Sequence, residues 1–351
     1  MSLSAPSTQH PSHNDIPDPA PPQHPQSGLK GILLPVAVVL AIGTIFVSVY
    51  LAAFHAPEPH DLPVAAVGTS QEAHRLQGAL DSGLPGGFDV RPYVDESAAR
   101  DAIAHRRVYA AYLPGYLPGG GHGDPRLLYA GANGASVTGT LTGAFGHVAG
   151  AGGHRLAQED VLPASSGDTR GLSIFYAAFG LVLAGYLFGI MTYQAAPGLR
   201  FRQRMASLAL FGVLGGIVIT LIAGSAGFGA LPGSFVGIAG TIALMAMAAG
   251  GATMVFIRWT GPAGAGLASV VLLTLGNSTS GGVMPAAYLP AWLHPLSGVL
   301  PVGAGVRALQ GLAYFHHDGL ARGIATLAAW IIVCAALLRL RDARAERALA
   351  S

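Results

Sequence analysis

Few residues in this chain are of types that do chemistry, and their spacing limits what they can do. Two clusters set imidazole beside carboxylate: His55, His60 and Asp61, and later His316, His317 and Asp318. Either can hold zinc or respond to pH. Neither is framed by an i, i+4 His pair or an HExxH run, so the simpler reading of each is an exposed interfacial cluster. His10, His13 and His24 are spread through a polar tail and read as solvated. Cys334 is the single cysteine and lies in an apolar stretch, which excludes an intramolecular disulfide and a multi-cysteine metal site. No GxGxxG or GxxxxGK[ST] pattern supports dinucleotide or direct ATP binding, and no GxSxG elbow marks a hydrolase. We therefore expect no enzyme, no cofactor and no resident metal. Two charged features remain. One is a basic run, QAAPGLRFRQR, with Pro197, Arg200, Arg202 and Arg204. The other is Arg307, alone in an apolar stretch.

The elements that position these residues belong to a membrane protein. The 351 residues are 51% hydrophobic and only 10% charged, with a mean hydropathy of +0.49. A soluble chain carries about a quarter charged residues. Fifty glycines fit close helix approach in a bilayer. No basic block suggests nucleic acid.

Residues 1–29 read as a disordered cytoplasmic tail, and 30–54 as a first span, uncharged beyond Lys30 and of about the 20 residues a bilayer core requires. No convincing cleavage site follows, so the span reads as retained. Residues 55–170 change character, holding nearly half the arginines and most of the acidic residues. Strands are expected at 62–68, 88–94, 108–114 and 126–131. Helices are expected at 70–83, capped by Ser70 with Glu72 in its first turn, at 95–107, capped by Asp95 with Ala98, Ala102 and Ile103 on one face, and at about 134–150. Such alternation favours an α/β layer with partly parallel strands. Residues 171–341 then read as a five-span bundle, with spans at about 172–194, 205–228, 234–257, 263–276 and 321–340, and 342–351 as a basic cytoplasmic tail.

Lys30, the Arg200, Arg202 and Arg204 trio, Arg258 and the tail arginines fall on one side of a six-span drawing. The positive-inside rule then places both termini in the cytoplasm and 55–170 outside. The expected fold class is thus an α-helical polytopic membrane protein, N-in and C-in, with an extracytoplasmic α/β domain inserted between the first and second spans. Inside the bundle, an interrupted outer segment at about 277–320 is too apolar for a solvated loop and too broken by Pro285, Pro290, Pro295 and Pro301 for a spanning helix. Irregular backbone at such depth survives only where protein or water covers it. Trp259, Trp292, Tyr288 and Tyr314 read as an aromatic belt.

The layout of one span, a large external domain and five more spans resembles the ABC-2 type permeases, in the branch related to the YhgE/phage-infection-protein membrane proteins. The residues that carry the likeness are GNSTSGGVMPAAYLP followed by LPVGAGVRAL, with Pro301 and Arg307. LPVAAVG, DESAARDAIAHRRVYAAYLP and DTRGLSIFYAAFGLVLAGYLFG also contribute. The resemblance implies a plasma-membrane export subunit, bacterial in origin, that pairs with a second permease as a homodimer or heterodimer and borrows a separate ABC ATPase. It would move an amphipathic or lipid-like substrate outward.

The resemblance places ATPase contact at Pro197, Arg200, Arg202 and Arg204, which otherwise serve only as topology determinants touching membrane lipid. The candidate outer gate is Gly276, Asn277, Gly281, Gly282, Pro285, Tyr288, Pro290, Trp292, Pro295, Pro301 and Arg307; the alternative is a static plug. A competing reading is a non-transporting scaffold or surface receptor acting through its external domain. An ion-driven transporter ranks last, because the expected spans hold no acidic residue.

Overall fold

Among the described residues, five helices are long and apolar enough to cross a membrane. The structure is a computed structural model that describes residues 29–115 and 123–350, so the expected N-terminal tail with His10, His13 and His24 lies outside the described residues. The chain divides at residue 41 into two units. The first contains the start of helix α1 (Leu29–Phe54), including Pro35. The second begins at Ile42, within the same helix, and holds everything that follows.

Residues 62–160 form a five-stranded sheet flanked by helices. Strands β1 (Leu62–Val67), β2 (Phe88–Tyr93), β3 (Ala110–Leu113), β4 (Arg126–Tyr129) and β5 (Ala157–Asp160) lie in the order β2-β1-β3-β4-β5. All neighbouring pairs are parallel except β3 with β4. Helices α2 (Ser70–Asp81) and α4 (Ala135–Ala151) cover one face, where Leu76, Leu80, Leu141 and Phe145 meet Leu62, Val64 and Leu127. Helix α3 (Glu96–Ala104) covers the other, where Ala99, Ala102 and Ile103 meet Ala65, Ala111 and Leu128. Ala99 thus takes the buried place expected of Ala98.

The N-cap of helix α2 lies one residue before the expected one. Thr69, not Ser70, is the N-cap, because only Thr69 stands three residues before Glu72 and completes a capping box. Thr69 N donates to Glu72 Oε2 at 2.7 Å, and Glu72 N donates to Thr69 Oγ1 at 3.3 Å.

The remaining helices are α5 (Ser173–Gln194), α6 (Phe201–Ala223), α7 (Phe235–Thr260), α8 (Ala263–Ala268), α9 (Leu296–Val299), α10 (Pro301–Ala313) and α11 (Leu320–Ala350). Helix α7 is central and packs on α5, α6, α10 and α11. Small residues make this possible. A Cβ at Gly189 of α5 would sit 2.6 Å from Thr253 Cβ, and one at Gly216 of α6 would press on the Ala239 carbonyl. Helix α6 begins at Phe201, so Arg202 and Arg204 lie in its first turn and not in a loop as expected.

The expected span at 263–276 is not a full-length helix. Helix α8 has 6 residues and passes into an 8-residue stretch of wider π turns, Ser269–Gly276. Together they reach at most about 21 Å at the α-helical rise, short of a bilayer core of about 30 Å. Among the described residues the membrane signature is thus five long helices plus this short one.

Candidate functional site

The break after Gly276 is built from side chains that satisfy the end of a helix. Asn277 Nδ2 donates to Leu273 O at 3.2 Å, Ser278 Oγ to Leu275 O at 3.2 Å, Thr279 Oγ1 to Leu275 O at 2.7 Å, and Ser280 Oγ to Asn277 O at 2.8 Å. All four residues are buried. Their hydroxyl and amide groups add to the backbone bonds that Thr279 N and Ser280 N make to Leu275 O and Asn277 O, which lowers the desolvation penalty of ending a helix inside the protein, while Asn277 Oδ1 stays buried without a partner among the described residues. Gly281 then turns the chain at φ +76°, a conformation disfavoured for any residue with a Cβ. Gly282 lies against Phe175, where a Cβ would come within 2.9 Å of that residue's own Cβ.

Each of the four prolines opens a turn. Pro285 precedes a short 3-10 turn, Ala286–Tyr288; Pro290 accepts from Leu293 N at 2.9 Å; Pro295 caps α9; and Pro301 is the first residue of α10. At these places a backbone N–H would have no helical partner, so its absence costs nothing. The segment is an ordered succession of turns. One side of it rests on the end of α1, where Ala53 packs with Leu289 and Leu293.

Two anchors fasten this segment and α10 to the sheet. Tyr288, expected in an aromatic belt, is 3% exposed and belongs to the core beneath α2 and α4, while His60 N donates to Ala287 O at 2.8 Å. Phe315, just past α10, is fully buried in the opposite core beside α3. Trp292 and Trp259 remain exposed.

Between the anchors lies a residue to which the sequence drew no attention. Arg106 follows α3, with a side chain only 8% exposed. Its Nε donates to Asp318 Oδ2 at 2.9 Å, Nη1 to Gln310 Oε1 at 2.7 Å, and Nη2 to Asp318 O at 2.8 Å and Arg307 O at 3.2 Å. Its guanidinium also stands over the Phe315 ring at 4.7 Å. Burial, and next the neighbouring Arg307 charge, pull its pKa below the ordinary arginine value. Arg307 Nη2 reaches the same Asp318 carboxylate at 3.2 Å, and Gln310 Nε2 donates onward to Gly281 O at 3.3 Å. One arginine therefore ties the sheet, α10 and the broken segment together.

The backbone is strained at the same place. Asp61, Arg106, His316 and His317 all have positive φ, between 46° and 66°, and His105 meets His316 edge to face with ring centres 5.4 Å apart. Among the described residues no three metal-ligating side chains converge. Asp318, which the sequence set beside two histidines, is committed to the arginines.

A cavity of about 900 Å³ opens beside this junction, bounded by His60 and Tyr109 from the sheet side, by the broken segment, and by α10 and α11. Burial pushes the Tyr109 phenol pKa up. Of the candidate gate residues, Gly281, Pro285, Pro295 and Arg307 line it. Gly276, Asn277, Gly282, Tyr288, Pro290, Trp292 and Pro301 do not; they shape or anchor the walls.

At the opposite end of the helices the basic run separates into two kinds of residue. Arg204 is 7% exposed, donates from Nε to Leu199 O at 3.1 Å and from Nη2 to Pro197 O at 2.9 Å, and lies over the Tyr193 ring at 4.0 Å. It holds the turn together. Arg200 and Arg202 are exposed. Nearby, Arg258 pairs with Asp342 at 2.9 Å, and Arg341 and Arg344 approach the Trp259 ring.

Comparison with known proteins adds no assignment: no protein-family model, no curated protein and no solved structure matches the chain.

Proposed function

We propose that this chain is the membrane-spanning subunit of an ABC-2 type exporter, driven by a separate ATPase and moving an amphipathic or lipid-like molecule outward. The observation that carries the reading is the turn-built segment between Gly276 and Pro301. It is held between the helical bundle and the sheet layer and borders a large cavity. A discontinuous apolar element of this kind can rearrange without breaking a whole spanning helix. In this reading both termini and the Arg200 and Arg202 side chains face the cytoplasm of a bacterial cell, and the sheet lies outside. The positive-inside arrangement of Arg200, Arg202, Arg258 and the tail arginines supports that orientation. The subunit acts as a pair, homodimeric or with a second permease.

The decisive experiment is affinity purification of the full chain from its native membrane, followed by ATPase assay of what co-purifies. The reading requires an associated ATPase whose turnover falls when Arg200 and Arg202 are both changed to Gln. Absence of any associated ATPase sinks it and leaves a scaffold or receptor acting through the sheet layer.

A further inference from the structure

The geometry points to the cavity beside α10 and α11 as a binding site for an amphiphile with an anionic, phosphate-type head, an inference that rests on the export reading for its outward orientation. One stripe of α10 faces the cavity with Ala304, Arg307 and Gln310, and one stripe of α11 with Arg322, Gly323 and Thr326. The spacings put each set on a single helix face. The two helices touch here, since a Cβ on Gly323 would lie 2.6 Å from Ala304 O. The lining is therefore part of the fold and not a surface accident.

The charge balance selects the ligand's sign. Asp318 serves two guanidiniums, those of Arg106 and Arg307. Arg322 lines the same space and has no ion pair among the described residues. Asp61 on the sheet-side rim offsets one charge, so three arginines face two carboxylates and positive charge is left over. Arg307 is 55% exposed and keeps guanidinium donors beyond its single bond to Asp318. Planar guanidinium donors match the oxygens of a phosphate better than those of any neutral head.

The broken segment supplies the surface for a tail. Pro285, Ala286, Leu289 and Pro295 add apolar area to the lining, beside the polar Ser280, His294 and Ser297. The broken segment runs along α11: Gly298 lies beside the Arg322 guanidinium, and Trp330 Nε1 donates to Val299 O at 2.8 Å. The cavity thus sets the Arg307 and Arg322 side chains beside a partly apolar wall, and its volume is near the upper end of ligand sites, roughly 300–1,000 Å³.

The test uses the purified full chain in neutral detergent, with dioctanoyl phosphatidylglycerol, dioctanoyl phosphatidylcholine and inorganic phosphate as probes, read by native mass spectrometry and competition. Wild-type protein is expected to bind the anionic lipid at least tenfold more tightly than the zwitterionic one. The Arg307→Gln/Arg322→Gln double variant should lose that tenfold preference, about 1.4 kcal/mol. Arg91→Gln on β2, which removes one charge as Arg322→Gln alone does, should keep it. If the double variant does not fold, Arg322→Gln alone carries the test, because that side chain has no ion pair to lose. Equal binding of the two lipids, or undiminished selectivity in the variants, overturns the proposal. Inorganic phosphate binding as tightly as the lipid also overturns it, by assigning the site to a free anion. No ATPase enters this assay, so selectivity without ATPase coupling leaves the site standing while the export reading fails, and coupling without selectivity does the reverse.

Discussion

Replacing Arg106 by Met keeps most of the side-chain volume and removes one buried charge with its four hydrogen bonds to Asp318, Gln310 and the Arg307 backbone. Breaking a buried pair from one side costs about 3–5 kcal/mol when the other charge is stranded. Here Asp318 is 25% exposed and retains Arg307 at 3.2 Å, so the lower figure applies, about 3 kcal/mol. The positive φ at Arg106 persists with Met, so no strain is relieved. Only the junction depends on this network, and the loss should appear as local opening. At about 1.4 kcal/mol per factor of ten, amide hydrogen exchange in peptides covering 281–300 and 314–319 should quicken on the order of 100-fold, with α6 and α7 unchanged. Exchange within fivefold of wild type in those peptides would refute the claim that Arg106 fastens the broken segment to the sheet.

Three further outcomes follow from the packing and the charges. Arg204→Gln should destabilise the turn at Pro197–Arg200 by about 2 kcal/mol and expose it to protease, because a buried charged donor pair to two carbonyls is lost; Arg200→Gln/Arg202→Gln should leave proteolysis unchanged. Gly189→Leu should lower the yield of folded protein sharply, measured by size-exclusion profile in detergent, since even its Cβ overlaps Thr253; Gly180→Leu, with nothing within 4 Å, should be tolerated. In the sheet, the hydrogen bond from Arg100 and then the Arg126 contact hold the Glu96 carboxyl below its ordinary pKa. A carboxylate lowered in the fold stabilises fully above its unfolded pKa, so acid unfolding of the sheet layer should set in as pH falls below about 5, and Glu96→Gln should flatten that pH dependence in a melting series.

Local physics made most of the sheet layer legible. β1 announces itself as an apolar run, LPVAAV, ended by Gly68, β2 begins straight after Gly86 and Gly87, and Asp95 caps α3 as its position demands. β5, Ala157–Asp160, could not be seen: its sequence AQED is polar and mostly exposed, and it is a strand only because β4 offers a parallel edge. The start of α6 was misjudged for a related reason. Three arginines read as a solvated loop, whereas Arg204 folds back to bond the preceding carbonyls and the helix already includes Phe201.

At the candidate site, Arg307 and the prolines were visible as exceptions in an apolar context. Arg106 was not. It sits between His105 and Arg107, and nothing in that run distinguishes the one side chain that turns inward from the exposed one that pairs with Asp101. Gln310, a lone amide in α10, was the one available signal, since a polar group on a helix face that is otherwise buried needs a partner.

The backbone of the broken segment explains why the sheet layer and the bundle form a single unit from Ile42 onward. A chain that leaves a helix at Gly276 and does not resume a long one until Pro301 must satisfy its carbonyls and amides without water on every side. The structure meets this in three ways. Asn277 to Ser280 bond the dangling helix end, and the prolines remove donors where turns begin. The sheet supplies the rest, through His60 N to Ala287 O and through Gln310, which Arg106 orients, to Gly281 O. Removing the sheet would therefore uncover polar backbone on an apolar element and strand Tyr288 and Phe315 as exposed aromatics. The sheet acts as the cover of the break, and motion of the segment at Gly281 must loosen it from Gln310, the residue that Arg106 holds.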